Sequence, residues 1–177
     1  MSLAVGSWQA GHPTGITLHH TADRSLPHVI QYGIAENVGY HLIIDRDGSI
    51  HQTAQFNYKI YHAGKAMWLK ESPNRNHIAV AVISWGRVER VGDDFKSWTG
   101  SRVPHDLVAH REGGYWDQAT AVQEEALWTV IKWLVQEFKI DPKKICGHSE
   151  CAQPKGRKDD PMGVLSLTMK EIRLNLS

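Results

Sequence analysis

The feature that most constrains the fold is a nearly continuous apolar run at residues 77–84, with the sequence HIAVAVIS. An apolar run of this length, with no polar alternation, is typical of a strand that is buried on both faces. Such a strand needs a layer of other elements on each side of its sheet. Residues 77–84 are therefore predicted to form the central strand of a covered sheet.

Further strands are predicted in segments that are short and rich in β-branched or apolar residues. These segments are residues 15–21, 40–45, 49–53 and 144–147. Asp47 and Gly48 lie between the second and the third of them. An Asp-Gly pair is typical of a tight hairpin turn, so these two segments are expected to pair antiparallel.

The clearest helix is predicted over residues 121–138, where apolar residues recur at helical spacing. Thr120 followed by Gln123 predicts a capping box at its start. Two further helices are predicted over residues 27–36 and 165–174. Helices and strands therefore share one chain without strict alternation.

This mixed order predicts an α/β (α+β mixed) fold, in which residues 1–177 form a single domain with a central mixed β-sheet flanked by helices. The segment 85–118 is rich in Gly, Asp, Arg and Trp and is predicted to be a long irregular loop. Loops of this length in a compact domain are often functional. A shorter polar loop is predicted at residues 151–160.

Composition excludes several classes of protein. The formal net charge is +1, so no overall field attracts the chain to nucleic acid or to an acidic membrane surface. No apolar run approaches the roughly 20 residues that span a bilayer, so membrane insertion is not expected. Residues 1–14 lack the pattern of a secretory signal, which predicts synthesis in the cytoplasm. Two cysteines do not make a disulfide framework. A monomer is the expected oligomeric state.

Candidate metal ligands occur in three places along the chain. His19 and His20 lie in a predicted strand, where neighbouring side chains point to opposite faces, so one of the two can enter a given site. His148 follows the predicted strand at residues 144–147, and carboxylates occur in residues 156–161. Two histidines and a carboxylate, with one position left for water, make a catalytic zinc site. Sequence spacing alone does not bring these residues together, and a histidine in a strand is commonly structural.

Five segments in this order resemble the N-acetylmuramoyl-L-alanine amidase family, amidase type 2. That family includes phage amidase lysozymes, anhydro-muropeptide amidases and peptidoglycan recognition proteins. The segments are residues 17–22 (TLHHTA), 39–50 (GYHLIIDRDGSI), 61–64 (YHAG), 76–83 (NHIAVAVI), and 147–148 together with 157–161 (GH and RKDDP). The resemblance runs from about residue 16 to 165 and implies the fold of peptidoglycan recognition proteins and amidases.

The resemblance also implies roles for individual residues. His19 matches the first zinc ligand of the family and His148 the second. Lys158 matches a lysine that steadies the transition state, and Tyr40 a catalytic tyrosine near the metal-bound water. His62 is expected to line the substrate groove.

The third zinc ligand remains open among three residues. Asp160, in a Lys-x-Asp-Pro pattern, matches the family's third ligand. Asp159 and Cys151 are the alternatives, because the loop after His148 is two residues longer than in close relatives. Cys151 stands three residues after His148, which is not the place of the cysteine in branches that use one.

The function implied is the zinc-dependent hydrolysis of the amide between N-acetylmuramic acid and L-alanine in peptidoglycan, with Zn²⁺ as cofactor. Ala81 stands where anhydro-muropeptide amidases carry a glutamate base. This difference favours a phage or prophage endolysin, or an autolysin, that reaches the wall after release. The alternatives are a non-catalytic peptidoglycan-binding module and a cytoplasmic recycling amidase.

Several aromatic residues are candidates for less specific roles. Trp68, Trp85, Trp98 and Trp116 lie in predicted loops and are candidates for the border of a glycan groove, whereas Trp128 and Trp133 are expected to pack on the main helix. His41, His51, His77 and His110 are interpreted as structural or surface residues.

Overall fold

The computed structural model describes residues 6–7 and 13–177 of the chain. The strands, in chain order, are β1 (Gly6–Ser7), β2 (Gly15–His20), β3 (Leu42–Ile44), β4 (Ile50–Gln52), β5 (Tyr58–Lys59), β6 (His77–Val82), β7 (Arg87–Val91), β8 (Asp94–Lys96), β9 (Arg102–Val103), β10 (Val108–Arg111), β11 (Gly114–Asp117) and β12 (Ile145–Gly147). The helices are α1 (Leu26–Glu36), α2 (Pro73–Asn76), α3 (Ala121–Phe138), α4 (His148–Cys151) and α5 (Met169–Leu174).

The main sheet has five strands in the order β12-β2-β6-β3-β4. β6 lies in the middle and runs parallel to both β2 and β3, while β4 pairs antiparallel with β3 across the predicted hairpin. All six residues of β6 are buried. The predicted central strand and the mixed α/β fold are therefore confirmed.

Residues on one face of the main sheet pack against α3. Ile16, Leu18, Ile78 and Val80 share one apolar cluster with the buried side of that helix. The helix begins at the predicted capping box, in which Thr120 and Gln123 exchange side-chain hydrogen bonds with the backbone. This face of the sheet is thus an apolar core. The polar residues described next lie on the other face.

The opposite face carries smaller and more polar residues. Thr17, His19, Ala79 and Ala81 point to this side, and all are buried. A second cluster, formed by Ala63, Ala66, Cys146 and Cys151, lies on the same side. Alanines at this face leave room for the segment after β5 and for α4 to approach the strands closely.

The segment 85–118 is not an irregular loop, and that prediction is wrong. It forms a second antiparallel sheet of five strands in the order β10-β11-β7-β8-β9. Its strands have two to five residues, and a cluster of Val88, Phe95 and Val103 holds them together. The prediction that Trp116 borders a groove is also wrong, because Trp116 is 1% exposed and belongs to the main core.

Asp117 joins the second sheet to the main sheet. Its carboxylate accepts hydrogen bonds from Arg24 Nε at 2.9 Å and from the Trp85 backbone N–H at 2.8 Å. Arg46 Nη1 lies 3.6 Å from the same carboxylate. The Asp117 backbone carbonyl accepts the hydroxyl of Ser84, just after β6, at 2.6 Å. A fully buried carboxylate therefore anchors the end of β11 to the loops above the main strands.

Two smaller differences concern the ends of elements. The last helix begins at Met169 rather than near residue 165, because Thr168 caps it through Glu171. Tyr40 precedes β3 instead of lying in it.

The prediction about residues 1–14 falls largely outside the described residues. Within the described part of the chain, no helix combines the length and apolar character needed to cross a membrane.

Candidate metal centre

β2 presents its two histidines on opposite faces of the main sheet. His19 is 2% exposed and lies in register with Ala81 of β6. His20 packs instead against Gly86, where an added Cβ would lie 2.2 Å from the imidazole ring. Only His19 therefore lies on the face of the sheet opposite α3, as the alternation of strand side chains predicts.

The chain that follows β12 supplies two more residues to the same place. His148 is the first residue of α4, directly after the strand. The backbone N–H of Ser149 donates to the carbonyl of Asp160 at 2.8 Å, which draws the end of the polar loop back to the start of α4. The buried side chains of His148 and Asp160 consequently lie side by side.

His19, His148 and Asp160 converge on one point. Asp160 Oδ2 lies 2.7 Å from His19 Nδ1 and 3.0 Å from His148 Nδ1. One ligand atom from each residue falls within 4.8 Å of the others, and all three residues are buried. Two buried histidines and a buried carboxylate at this spacing could together hold a metal ion.

The hydrogen bond that His148 makes on the side away from Asp160 indicates whether a metal ion fits this group. His148 Nε2 lies 3.0 Å from the carbonyl oxygen of Ala63, which can only accept a hydrogen bond. In a neutral ring the single proton must then be on Nε2, so Nδ1 carries a lone pair toward Asp160. With its proton on Nε2, His148 would present the Nδ1 lone pair 3.0 Å from Asp160 Oδ2, so the two atoms could donate to a shared cation. The residues therefore fit a metal ion.

The protonation of the group agrees with metal binding, since imidazole and carboxylate ligands must be deprotonated. Burial lowers the pKa of His19 to about 4, so its ring is neutral at neutral pH.

The two alternative ligands lie elsewhere. The Asp159 side chain is directed toward His20, with Oδ1 at 3.7 Å from His20 Nε2. Cys151 is fully buried in a cluster with Cys146, and its Sγ lies 3.5 Å from the carbonyl of His148. Among the three candidates, Asp160 is the residue whose side chain contacts both histidines.

Tyr40 and His62, both half-buried, lie next to His19. The Tyr40 ring is 5.1 Å from the His19 ring, and His62 Nδ1 is 3.0 Å from His19 Nε2. Burial, and then the charge of Asp160, raise the pKa of Tyr40 above its usual value, so its hydroxyl keeps its proton. Burial is also the largest cause that lowers the pKa of His62 well below its usual value, which leaves a neutral ring.

Lys158 makes fewer side-chain contacts than the other candidate site residues. It is exposed and stands two residues before Asp160. No hydrogen bond or ion pair joins its ammonium group to any other residue in the described ranges. The side chain is therefore free to reach toward a bound substrate.

Sequence reasoning gave no role to two residues near the candidate centre, Asn74 and Arg157. Asn74 Oδ1 accepts the backbone N–H groups of His62 and Ala63, each at 2.9 Å. Arg157 Nη2 donates to the carbonyls of Ala63 and Lys65 at 2.9 and 3.0 Å. The contacts of Arg157 join residues more than 90 positions apart, and Asn74 lies outside the recognised segments, so the sequence pattern does not show these contacts. Their proximity to the recognised segments at residues 61–64, 76–83 and 157–161 is the one available signal.

Trp98 and Trp68, two of the tryptophans predicted to border a groove, make different contacts. Trp98 is 72% exposed, and its Nε1 donates to the carbonyl of Ala22, three residues after His19. Trp68 is half-buried, and its Nε1 donates to the carbonyl of Lys143, with the Arg173 guanidinium over the ring. Trp98 therefore borders the loop that follows β2, and its contact with a glycan stays a prediction.

Comparison with protein families gives one match. The model of a family described as N-acetylmuramoyl-L-alanine amidase matches residues 9–163. No curated protein sequence matches the chain significantly.

Solved structures give matches to the whole fold. AmiD from E. coli, in complex with anhydro-N-acetylmuramic acid-L-Ala-D-γ-Glu-L-Lys, has a TM-score of 0.68 and 18% identity, covering 94% of this chain and 59% of AmiD. AmpDh3 from Pseudomonas aeruginosa, in complex with anhydromuramic pentapeptide, has a TM-score of 0.66 and 19% identity, covering 90% of this chain and 58% of AmpDh3. LysC from Clostridium intestinale, an N-acetylmuramoyl-L-alanine amidase, has a TM-score of 0.65 and 17% identity, covering 99% of this chain and 93% of LysC. The chain thus spans little more than half the length of AmiD and AmpDh3 and nearly the length of LysC.

Proposed function

The chain belongs to the N-acetylmuramoyl-L-alanine amidase family, and from this membership and the buried His19–His148–Asp160 group we propose that it hydrolyses the amide between N-acetylmuramic acid and L-alanine in peptidoglycan. The observation that carries the proposal is the convergence of these three side chains on one point. A binding module without activity needs no such set of metal ligands.

We propose Zn²⁺ as the cofactor, held by His19 Nδ1, His148 Nδ1 and Asp160 Oδ2. When bound in such a site, zinc lowers the pKa of a water molecule and polarises the carbonyl that is attacked. His19 and His148 offer neutral nitrogen donors, and Asp160 offers one negative charge. The set of two histidines and one carboxylate is a known catalytic arrangement.

Two further residues are proposed to act on the reacting amide. Hydrolysis places negative charge on the carbonyl oxygen and requires a proton for the departing amine of L-alanine. Lys158, an exposed cation two residues before Asp160, stabilises the oxyanion. The Tyr40 hydroxyl, beside His19, donates a hydrogen bond to the attacking water or relays a proton to the amine. His62 is expected to line the substrate groove, as predicted from the resemblance.

The substrate class is supported by the compounds bound to structural relatives. AmiD and AmpDh3 are each described in complex with an anhydro-muramyl peptide. Ala81 is fully buried and in register with His19. The family resemblance implies that recycling enzymes carry their glutamate base at this position, where Ala81 provides no carboxylate. This absence at one position favours attack on the intact wall, as an endolysin or autolysin, over recycling of small muropeptides.

The test of the proposed activity is digestion of purified sacculi by the protein with and without a metal chelator. We expect release of intact stem peptides with a free L-alanine amine, identified by mass spectrometry, only when metal is present. Binding to sacculi with no release would show a non-catalytic module. Faster digestion of anhydro-muropeptides than of sacculi would instead identify a recycling enzyme.

Substitution of Lys158 by alanine is expected to lower kcat by about 10²–10³-fold, the usual cost of losing one oxyanion-stabilising group. Zinc content should not change, because Lys158 is exposed and is not one of the proposed ligands. Lys155→Ala is the matched control, since Lys155 is an exposed lysine of the same loop. Equal activity of the two variants on sacculi would remove Lys158 from the mechanism.

A further inference from the structure

The two histidines of the candidate metal centre both contact one short segment, residues 62–63. His19 Nε2 lies 3.0 Å from His62 Nδ1, and His148 Nε2 lies 3.0 Å from the carbonyl of Ala63. The nitrogens that face away from Asp160 therefore have partners on neighbouring residues of the chain. This arrangement bears on which ring nitrogen carries the proton in each histidine.

The proton positions in His62 and His19 follow from the Pro73 carbonyl, which contacts the ring nitrogen of His62 that does not face His19. His62 Nε2 lies 3.2 Å from the carbonyl oxygen of Pro73, which can only accept a hydrogen bond. A neutral His62 ring has one N–H, which must then be on Nε2, and its Nδ1 is an acceptor. The Nδ1 acceptor requires a donor on His19 Nε2, so His19 Nδ1 is left bare toward Asp160.

We propose that His62 is a positioning residue for the metal centre: together with the Ala63 carbonyl, it fixes both ligand histidines in the tautomer that exposes Nδ1 to the metal. This proposal rests on the proposed zinc site and gives His62 a role in addition to any contact with substrate. Hydrogen-bond partners of this kind orient metal-bound histidines and raise their basicity, and their loss typically costs about 10–100-fold in metal affinity.

The segment itself is held from two sides. Asn74 Oδ1 accepts both backbone N–H groups of His62 and Ala63, and Asn74 Nδ2 donates to the carbonyl of Gly64 at 2.7 Å. Arg157 donates to the Ala63 carbonyl from the loop that leads to Asp160. The acceptors behind the two histidines are thus braced by α2 and by the loop of the third ligand.

The experiment measures zinc affinity by competition with a chromophoric chelator, for the wild type, His62→Ala, His62→Asn and His51→Ala. We expect His62→Ala to weaken zinc binding by about 10–100-fold. His62→Asn should recover most of the affinity, because its amide oxygen can accept the proton of His19 Nε2. His51 is also a half-buried histidine but lies on β4 outside the site, so His51→Ala should bind zinc like the wild type.

A second measurement reads the proton positions directly. ¹⁵N–¹H correlation spectra of the zinc-loaded wild type should show the protons of His62 and His19 on Nε2. A proton on His62 Nδ1, or unchanged zinc affinity in His62→Ala, overturns the positioning role while leaving amide hydrolysis intact. Zinc binding that depends on His62, with no hydrolysis of sacculi, overturns the proposed function and leaves the positioning role intact. Absence of zinc binding in the wild type overturns both.

Discussion

Asp160→Ala is expected to abolish zinc retention and amide hydrolysis together. Asp160 Oδ2 lies within 2.7 and 3.0 Å of the two ring nitrogens proposed as ligands, so its removal leaves two histidines and no negative charge in the group. The loss of zinc affinity should exceed the roughly 100-fold loss that follows removal of a hydrogen-bond partner of a metal ligand. Metal content after dialysis, measured by mass spectrometry, and release of stem peptides from sacculi are the two readouts.

Asp159→Ala and Cys151→Ala are the matched controls for this prediction. Asp159 is the adjacent carboxylate, and its side chain is directed toward His20 on the other face of β2. Cys151 is buried beside Cys146. Both variants should retain zinc. Loss of zinc from Cys151→Ala, with retention in Asp160→Ala, would contradict the proposed ligand set.

The sequence was sufficient to predict the central layer of the fold because that layer follows local periodicity. The apolar run at β6 predicted a strand buried on both faces, and the capping box predicted the start of α3. The two-residue period of β2 predicted that one histidine of the pair enters a site. Which histidine it is was implied by the family resemblance, and the placement of His19 beside Asp160 agrees with it.

The second sheet was not predictable in the same way. Its strands are too short to establish a period, and β7 and β8 each bury a single side chain, Val88 and Phe95. Their stability depends on pairing between strands and on Asp117, which local sequence does not show. Gly and Asp in this segment mark tight turns between strands rather than an extended loop.

The surroundings of the candidate metal centre depend on contacts that are distant in sequence. The bond between His148 and the Ala63 carbonyl joins residues 85 positions apart, and that between His19 and Asp160 joins residues 141 positions apart. A motif fixes which residue types occur, and the fold decides which ring nitrogen meets which partner. The role of Asn74 and of the Ala63 carbonyl therefore becomes visible only when the main sheet and α2 are assembled.

Asp117→Ala is expected to destabilise the fold by about 3–5 kcal/mol, the usual cost of removing one partner from a buried ion pair. The fully buried carboxylate accepts from Arg24 and from the Trp85 backbone, and Arg46 lies beside it with Nη2 buried and unpaired among the described residues. Without Asp117, two guanidinium groups and a backbone N–H lose their shared partner. At about 2–4 °C per kcal/mol for a domain of this size, Tm should fall by roughly 6–20 °C.

Asp93→Ala is the matched control, since Asp93 is a fully exposed aspartate of the same sheet that lies 3.9 Å from Arg90. Exposed ion pairs contribute little to stability, so this variant should unfold like the wild type. Asp117→Asn keeps an oxygen acceptor of the same size and should lie between the two in denaturant and thermal unfolding. Its zinc affinity in the folded state should match the wild type, because Asp117 contacts none of the proposed ligands. A stable Asp117→Ala variant would mean that the second sheet is held by its apolar contacts with the main core, through Trp116, and not by the buried carboxylate.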